Sequence, residues 1–193
     1  TIANLIMRFY HINSGEILID RENIENIPSD VLRKNIGIVL QDTRLFTGTV
    51  KDNISYGNKR ASEEEIKNAA KLAGADEFIM KLPNGYDTVL NNESTLSEGE
   101  LQLLTIARVI LTKPPILILD EATSNVDIIT ENKVQKAFSS LMKDATTFII
   151  AHRLSTTKSA DRIIVIENGN IVEAGNYEEL MEKRGKYFEL YSS

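Results

Sequence analysis

An uninterrupted apolar segment near the middle of the chain constrains the fold more than any other feature. Residues 116–119 read Ile-Leu-Ile-Leu, with no polar side chain to face solvent. A strand of this composition is typical of a sheet that is covered on both faces. Similar apolar segments occur at 36–40, 148–151 and 163–166. Helical segments separate the strands at 116–119, 148–151 and 163–166. The pattern predicts an α/β fold of mainly parallel strands flanked by helices.

The two ends of the chain carry more local signals. Apolar residues at helical spacing predict a helix at the start of the chain, which the segment 13–15, Asn-Ser-Gly, would end. Residues 16–20 predict a strand, and the turn Asn168-Gly169 predicts a hairpin between two strands. These elements are compatible with the predicted α/β fold.

The segment from about 50 to 112 has a different character. It is charged, helical and without strong strand signals, and Ser62 with Glu65 forms a capping box that starts a helix. We therefore expect a sheet-containing core formed by residues 1–49 and 113–193, with a helical subdomain inserted between its two parts.

Composition excludes several classes of function. The chain has 28 acidic and 22 basic residues, a net charge of −6, so no basic stripe is available to bind nucleic acid. Zero cysteines exclude disulfides and thiolate chemistry, and two histidines argue against a zinc site. No apolar run approaches the roughly 18 residues that cross a bilayer, and the first residues do not resemble a signal peptide.

Two adjacent carboxylates come directly after the apolar strand. Asp120 and Glu121 follow residue 119, and ligands of open α/β sheets bind beyond the carboxyl ends of the strands. One carboxylate could bind Mg²⁺ while the other acts as a base toward an attacking water. Taken alone, an Asp-Glu pair at this place favours capping of the next helix.

The segment 96–100, Leu-Ser-Glu-Gly-Glu, begins a helix that is predicted to run to about Leu111. Ser97 with Glu100 is a capping box, which is by itself a sufficient reason for a helix to start. In the functional interpretation, the Ser97 hydroxyl and the Gly99 backbone bind an anion at the helix N-terminus. Taken alone, the pattern favours helix initiation.

Two further polar residues come after predicted strands. Gln41 comes after the strand at 36–40, and His152 comes after the strand at 148–151. A glutamine amide there can bind a metal or a water, and an imidazole can donate to a phosphate. Both residue types are also common as ordinary hydrogen-bonding groups, so neither identifies a site alone.

The order and spacing of these residues resemble the nucleotide-binding domain of ATP-binding-cassette (ABC) transporters over essentially the whole chain. The matching segments occur in the family's order: Gln41 (Q-loop), residues 96–100 (signature, LSGGQ in the family), residues 116–120 with Glu121 after them (Walker B), residues 124–127, Ser-Asn-Val-Asp (D-loop), and His152 (H-loop). Residues 41–49 are similar to exporters whose membrane domain is fused upstream. The resemblance implies a P-loop NTPase-like, RecA-like core with an inserted helical subdomain that carries the signature.

The resemblance also implies ATP hydrolysis with Mg²⁺ between two nucleotide-binding domains, identical or different, on the cytoplasmic face of the cell membrane. The implied roles are a general base (Glu121), Mg²⁺ binding through water (Asp120), contact with Mg²⁺ and the membrane domain (Gln41), contact with the γ-phosphate (His152), contact with the partner's ATP (Ser97, Gly99, Glu100) and contact between the two domains (Asp127).

Two features depart from the family pattern. No G-x-x-x-x-G-K-[ST] phosphate loop occurs in the chain, and Thr1 aligns just after that motif. We therefore expect a piece of a longer protein that lacks the strand leading into this loop and is inactive alone. In the signature, Glu98 and Glu100 replace Gly and Gln, and two carboxylates beside an anion site predict weaker ATP attraction unless they point away.

We expect the missing strand to lie beside residues 116–119, which would leave that strand at a sheet edge and make the isolated chain fold poorly. Two other functions remain open. The first is a non-hydrolysing regulatory partner that supplies its signature to another subunit's ATP site. The second, a soluble ABC ATPase of translation or DNA repair, is disfavoured by the exporter-like segment after Gln41.

Overall fold

The computed structural model describes residues 2–40, 45–91, 96–121, 128–151 and 154–192. Contacts divide the chain into two compact units, 1–148 and 149–193, and each is described by itself. The elements up to residue 90 are α1 (Ile2–Ile6), β1 (Leu18–Ile19), β2 (Glu22–Asn23), α2 (Ser29–Lys34), β3 (Ile36–Val39), β4 (Gly48–Thr49), α3 (Val50–Ser55), α4 (Glu63–Leu72), α5 (Asp76–Ile79) and β5 (Val89–Leu90). The later elements are α6 (Glu98–Thr112), β6 (Ile116–Glu121), α7 (Ile128–Met142), β7 (Thr146–Ala151), β8 (Ile163–Glu167), β9 (Asn170–Gly175), α8 (Tyr177–Lys183) and α9 (Lys186–Ser192).

The predicted α/β fold is confirmed by a three-stranded sheet with the order β3-β6-β7. Strands β3 and β6 pair in parallel, with Ile36 opposite Ile116 and Val39 opposite Leu119. Leu117, Ile118 and Leu119 are at most 2% exposed, as expected for a strand that helices cover on both faces. The continuous apolar run therefore correctly predicted a strand that is buried on both faces.

The expectation that residues 116–119 lie at a sheet edge is wrong. Strand β6 lies between β3 and β7, and the Thr146 N–H donates to the Pro115 carbonyl oxygen at 2.9 Å where β7 begins. Helix α7 returns the chain so that β7 pairs along the side of β6 opposite to β3. Because β6 has a neighbouring strand on each side, the reason for expecting the isolated chain to fold poorly does not apply.

Helix α6 packs closely against strand β3 at Gly37. A Cβ atom at this glycine would lie 2.5 Å from Pro114 Cγ and 2.8 Å from Val109 Cγ1, which is shorter than any van der Waals contact between carbon atoms. The absence of a side chain at residue 37 therefore sets how near the helix comes to the sheet.

The helical character predicted for 50–112 is confirmed by α3, α4, α5 and α6. A short antiparallel pair, β4 with β5, lies beside these helices in the sequence. Helix α6 supplies much of the core of the first unit, since Leu103, Leu104, Ile106 and Ala107 are at most 2% exposed. The proposed division into a core and a helical subdomain stays a prediction.

Helix α1 is shorter than the apolar spacing predicts. Arg8 has φ +51°, a left-handed conformation that stops a helix. Its guanidinium donates to the Ile27 carbonyl oxygen at 2.8 Å and to the Ser29 hydroxyl. These partners lie far along the chain, so no local pattern could place the helix end.

The second unit contains the predicted hairpin. Strands β8 and β9 pair antiparallel, and the turn residues Asn168 and Gly169 have φ +51° and +80°, as a tight two-residue hairpin turn requires. The core of this unit is formed by Ile163, Val165, Leu180 and Tyr187.

None of the helices in the described ranges is both long and apolar enough to span a lipid bilayer.

Candidate functional site

The predicted signature segment forms a helix N-terminus with a capping box. Ser97 is the N-cap of α6, and its backbone N–H and its hydroxyl both donate to Glu100 Oε2 at 2.9 Å. In return, the Glu100 N–H donates to Ser97 Oγ at 3.3 Å. The predicted capping box is therefore confirmed in both directions, and it orients both side chains relative to the helix axis.

The helix behind this N-terminus is held firmly. Gly99 is buried in the first turn, and the continuous buried stretch of α6 begins three residues later, at Gln102. Because packing interfaces of this density shift little, the backbone N–H groups at the start of α6 have fixed directions. Fixed N–H groups at a helix N-terminus form a site suited to a phosphate.

Two carboxylates lie in the first turn of α6. Glu98 is exposed and Glu100 is half-buried. Negative side chains are favourable at a helix N-terminus, where the helix dipole is positive. The same charges repel a phosphate, and the Ser97 hydroxyl cannot donate to a phosphate while its hydrogen is directed to Glu100. The α6 N-terminus thus carries an internal anion where an external one would bind.

The second group of predicted residues lies at the ends of the central strands of the sheet. Asp120 is the penultimate residue of β6 and is half-buried. Because β3 and β6 run parallel with Val39 opposite Leu119, the carboxyl ends of both strands lie at the same end of the sheet. Asp120 therefore lies beside the carboxyl ends of the strands, where open α/β sheets bind ligands.

Several predicted residues fall outside the described part of the chain. These are Gln41, Asp127 and His152, together with the side chain of Glu121, whose backbone ends β6. The expected convergence of Gln41, Glu121 and His152 around a nucleotide stays a prediction.

Magnesium binding is compatible with the residues at this end of the sheet. Mg²⁺ is usually held by one or two carboxylates, several waters and the phosphates of the substrate, and the Asp120 carboxylate is of the chemical type that such a site uses. Within the described ranges, no group of three or more Asp, Glu, His or Cys side chains is close enough to hold a metal ion.

One group of contacts further along α6 was not predicted. Arg108 of α6 lies over the rings of Phe46 and Tyr56 and donates to Asn53. We call these four residues the Arg108 cluster. Asn53 and Arg108 are 55 positions apart, and no local pattern relates them. The available signal is an arginine among apolar residues of the helix predicted to run to about Leu111, where a charge needs partners.

Comparison with known proteins identifies the family. Residues 1–124 match the family model described as ABC transporter, which is more than half of the 193 residues. The chain belongs to the ABC transporter family. The resemblance inferred from Gln41, the signature segment and the Walker B strand is thereby confirmed.

Relatives within the ABC transporter family match the chain along its whole length. A putative multidrug export ATP-binding/permease protein of Staphylococcus aureus (strain NCTC 8325) is 53% identical over 193 residues, all of this chain and 33% of that protein. An uncharacterised ABC transporter ATP-binding protein of Bacillus subtilis (strain 168) is 50% identical over 194 residues, which cover 32% of it. The chain spans about a third of the length of these relatives.

A solved structure has the same fold. The structure of a bacterial Atm1-family ABC exporter with ATP bound is 41% identical and has a TM-score of 0.91, over 99% of this chain and 34% of that one. The α/β arrangement of a parallel sheet flanked by helices is therefore that of an ABC exporter segment.

Proposed function

We propose that this chain is the larger part of the ATP-hydrolysing domain of an ABC exporter, and that it couples ATP-driven association of two such domains to export across a membrane. The observation that carries the proposal is the N-terminus of α6, where Ser97 and Gly99 lie on a firmly packed helix. This arrangement suits recognition of a phosphate by hydroxyl and backbone N–H groups. The name of the S. aureus relative, which includes export and permease, supports the same function.

The residues of the described part act by position and charge. Ser97 and the backbone of Gly99 would donate to the γ-phosphate of ATP held by the partner domain. Glu100 lies beside them, and its side chain has to release the Ser97 hydroxyl before that hydroxyl can donate to phosphate. Phosphoryl transfer asks little covalent chemistry of a protein, so alignment of donors accounts for most of the acceleration.

The remaining roles are assigned by the family resemblance. Glu121 would take a proton from the attacking water, and His152 would donate to the γ-phosphate. Asp120 and Gln41 would hold Mg²⁺, which neutralises charge that develops on the phosphates. Asp127 would join the two domains.

We also propose the setting of this domain. The relatives are about three times as long as the chain, and one of them is named as a fusion of ATP-binding and permease parts. A transmembrane domain fused upstream and a second nucleotide-binding domain would then be the partners, at the cytoplasmic face of a membrane.

The test requires a complete transporter. It can be made by placing this chain in the matching third of the S. aureus relative, and we call that protein the chimeric exporter. ATP hydrolysis and ATP-dependent association of the two domains are measured for the chimeric exporter and for its Glu121→Gln variant. Removing a general base is expected to lower kcat by at least about 100-fold while ATP-dependent association persists. Equal hydrolysis by both proteins would contradict the role of Glu121.

A second candidate function is a regulatory partner that does not hydrolyse ATP itself. It would supply its signature to the ATP site of another subunit, and the N-terminus of α6 is compatible with this function too, because that N-terminus would contact the other subunit's ATP in either case. Mixed dimers of one chimeric and one unmodified S. aureus subunit distinguish the two functions. In a regulatory partner, Glu121→Gln in the chimeric subunit leaves hydrolysis unchanged. In a hydrolase, it removes the contribution of that subunit.

A further inference from the structure

We propose that Arg108 is a positioning residue that holds residues 46–53 and the helix α6 together, so that the two move as one body during the ATPase cycle. The inference rests on the proposed function for its catalytic readout. It concerns contacts that neither the family match nor the names of the relatives describe.

The guanidinium of Arg108 connects two helices. Its Nε donates to the Asn53 carbonyl oxygen at 2.8 Å, and its Cζ lies 5.2 Å from the centre of the Phe46 ring and 5.8 Å from that of Tyr56. Both distances are within the range of cation–π attraction. One side chain of α6 thus contacts the end of the preceding loop, the body of α3 and the residue after α3.

The two rings form a rigid base for this contact. Phe46 and Tyr56 are stacked, with ring centres 3.9 Å apart and planes inclined by 13°. Ring pairs of this kind are favourable beyond the area they bury. Because Arg108 contacts both rings, it fixes the loop residue Phe46 relative to Tyr56, which comes directly after the last residue of α3.

Asn53 fixes the backbone of the same loop. Its side chain is 1% exposed, accepts from the Phe46 N–H at 2.9 Å and donates to the carbonyl oxygens of Phe46 at 2.8 Å and Thr49 at 3.1 Å. A buried amide with these partners has little freedom to move. Arg108 binds the main chain of this residue, so the loop, α3 and α6 share one set of hydrogen bonds.

The charge of Arg108 is not used in an ion pair with any carboxylate in the described part of the chain. Burial lowers the pKa of Arg108 below its ordinary value, although an arginine stays protonated in proteins. The charge faces a carbonyl oxygen and two ring faces. The planar guanidinium can stack on both rings and donate to the carbonyl oxygen in a fixed direction, which lysine cannot do. This geometry, rather than the charge alone, therefore explains the presence of arginine.

The position of the cluster gives it a mechanical role. Phe46 is five residues after Gln41, and Arg108 is eleven residues after Ser97 on one continuous helix, a distance of roughly 16 Å along the axis. Gly57 adds a close approach, since a Cβ there would lie 2.5 Å from Thr112 Cγ2. A displacement of the loop is therefore transmitted to α6 and to its N-terminus.

The experiment compares substitutions at Arg108 with the same substitutions at Arg33 in the chimeric exporter. Arg33 is a matched control, because its guanidinium also lies over a ring, 4.8 Å from the centre of Phe9, and also donates to backbone carbonyl oxygens. It belongs to α2, whereas Arg108 belongs to α6. Each arginine is changed to Lys and to Gln, and kcat, KM for ATP and amide hydrogen exchange of residues 46–53 are measured.

Arg108→Gln is expected to lower kcat about tenfold, within the range of coupling changes that single residues cause, with KM for ATP nearly unchanged. Arg108→Lys keeps the charge and is expected to retain intermediate activity. Exchange of the Phe46 amide should rise in both Arg108 variants and in neither Arg33 variant.

Equal kcat and equal exchange for the Arg108 and Arg33 variants, in an active chimeric exporter, would overturn this inference while leaving the proposed function intact. A rise in amide exchange throughout α3 and α6 of the Arg108 variants, rather than at residues 46–53, would show general unfolding and would also overturn it. An unmodified chimeric exporter without ATPase activity would instead refute the proposed function.

Discussion

Helices α4 and α6 begin with the same two residue types in nearly the same geometry. At α4, the Ser62 N–H and hydroxyl donate to Glu65 Oε2 at 2.8 and 3.0 Å. At α6, the equivalent donations from Ser97 to Glu100 are both 2.9 Å. The two N-termini therefore have the same capping contacts and do not differ in how the helix is started.

The two helices differ in the residues behind the cap. Helix α4 buries only Ile66, Ala69 and Ala70, on one side, whereas nine residues of α6 are buried, among them Gly99 in its first turn. Helix α4 is thus an amphipathic surface helix, and α6 is a core helix whose N-terminus emerges from the packed interior.

The difference teaches that a capping box predicts where a helix begins but does not predict whether its N-terminus has a function. Fixed directions of the N–H donors, which phosphate recognition requires, depend on the packing of the helix body. Substitutions made in parallel at the two N-termini can therefore separate capping from ligand recognition.

The largest effect is expected from Ser97→Ala compared with Ser62→Ala. Both substitutions remove an N-cap and are expected to cost about 1 kcal/mol of stability. Only Ser97→Ala also removes a donor to phosphate, which should lower kcat of the chimeric exporter about 100-fold. Steady-state ATPase rates and thermal melting of both variants provide the check. Equal rates in the two variants would end the functional distinction between α4 and α6.

A smaller effect is expected from Glu100→Gln compared with Glu65→Gln. Glutamine keeps an oxygen that can accept from Ser97, but it removes a negative charge beside the phosphate. ATP-dependent association of the domains should therefore tighten about tenfold, or about 1.4 kcal/mol. Glu65→Gln should leave it unchanged. Association is measured by titration with ATP, and weaker association in Glu100→Gln would show that the carboxylate assists binding.

Glu98→Gly should tighten the same association by about threefold, since an exposed charge is more strongly screened than a half-buried one. Glu98→Gln serves as a control that removes the charge without adding backbone freedom. If neither variant changes the ATP titration, Glu98 points away from the site.

The smallest effect concerns a surface ion pair between α5 and α7, formed by Glu77 and Lys133. Lys133 of α7, and then Lys81, lower the pKa of Glu77 to about 2 from 4.5. Because the folded-state pKa is lowered, this stabilisation is present above pH 4.5 and is lost as the pH falls toward 2. Lys133→Met should reduce the melting temperature slightly at neutral pH and not at about pH 2, with ATPase kcat unchanged.

Lys81→Met is the matched control for that substitution, and its effect should be smaller because Lys81 is the second contributor. A larger loss of stability at acidic pH than at neutral pH would reverse the sign expected for a carboxylate with a lowered pKa.

Features of the fold that depend on neighbouring residues were predictable from the sequence. The strands β3 and β6 are indicated by unbroken apolar runs, and the N-termini at Ser62 and Ser97 are indicated by capping residues three positions apart. The hairpin at Asn168-Gly169 is indicated by two residues that adopt positive φ readily. In each case the determining interactions lie within a few positions of one another.

Features that depend on distant partners were not predictable. The end of α1 is set by Arg8 binding carbonyls near Ile27, and the position of β7 beside β6 depends on how α7 returns the chain. The Arg108 cluster joins residues 55 positions apart. Within the site, the Ser97–Glu100 geometry was predicted, whereas the arrangement of Gln41, Glu121 and His152 stays a prediction.

The close approach of β3 and α6 at Gly37 has a consequence for how this sequence can change. A side chain at residue 37 would collide with Pro114 and Val109 at the same time, so no single substitution at one of the three positions could relieve the overlap. We expect these three positions to covary across an alignment of relatives, with bulk appearing at residue 37 only where both opposing side chains have become smaller.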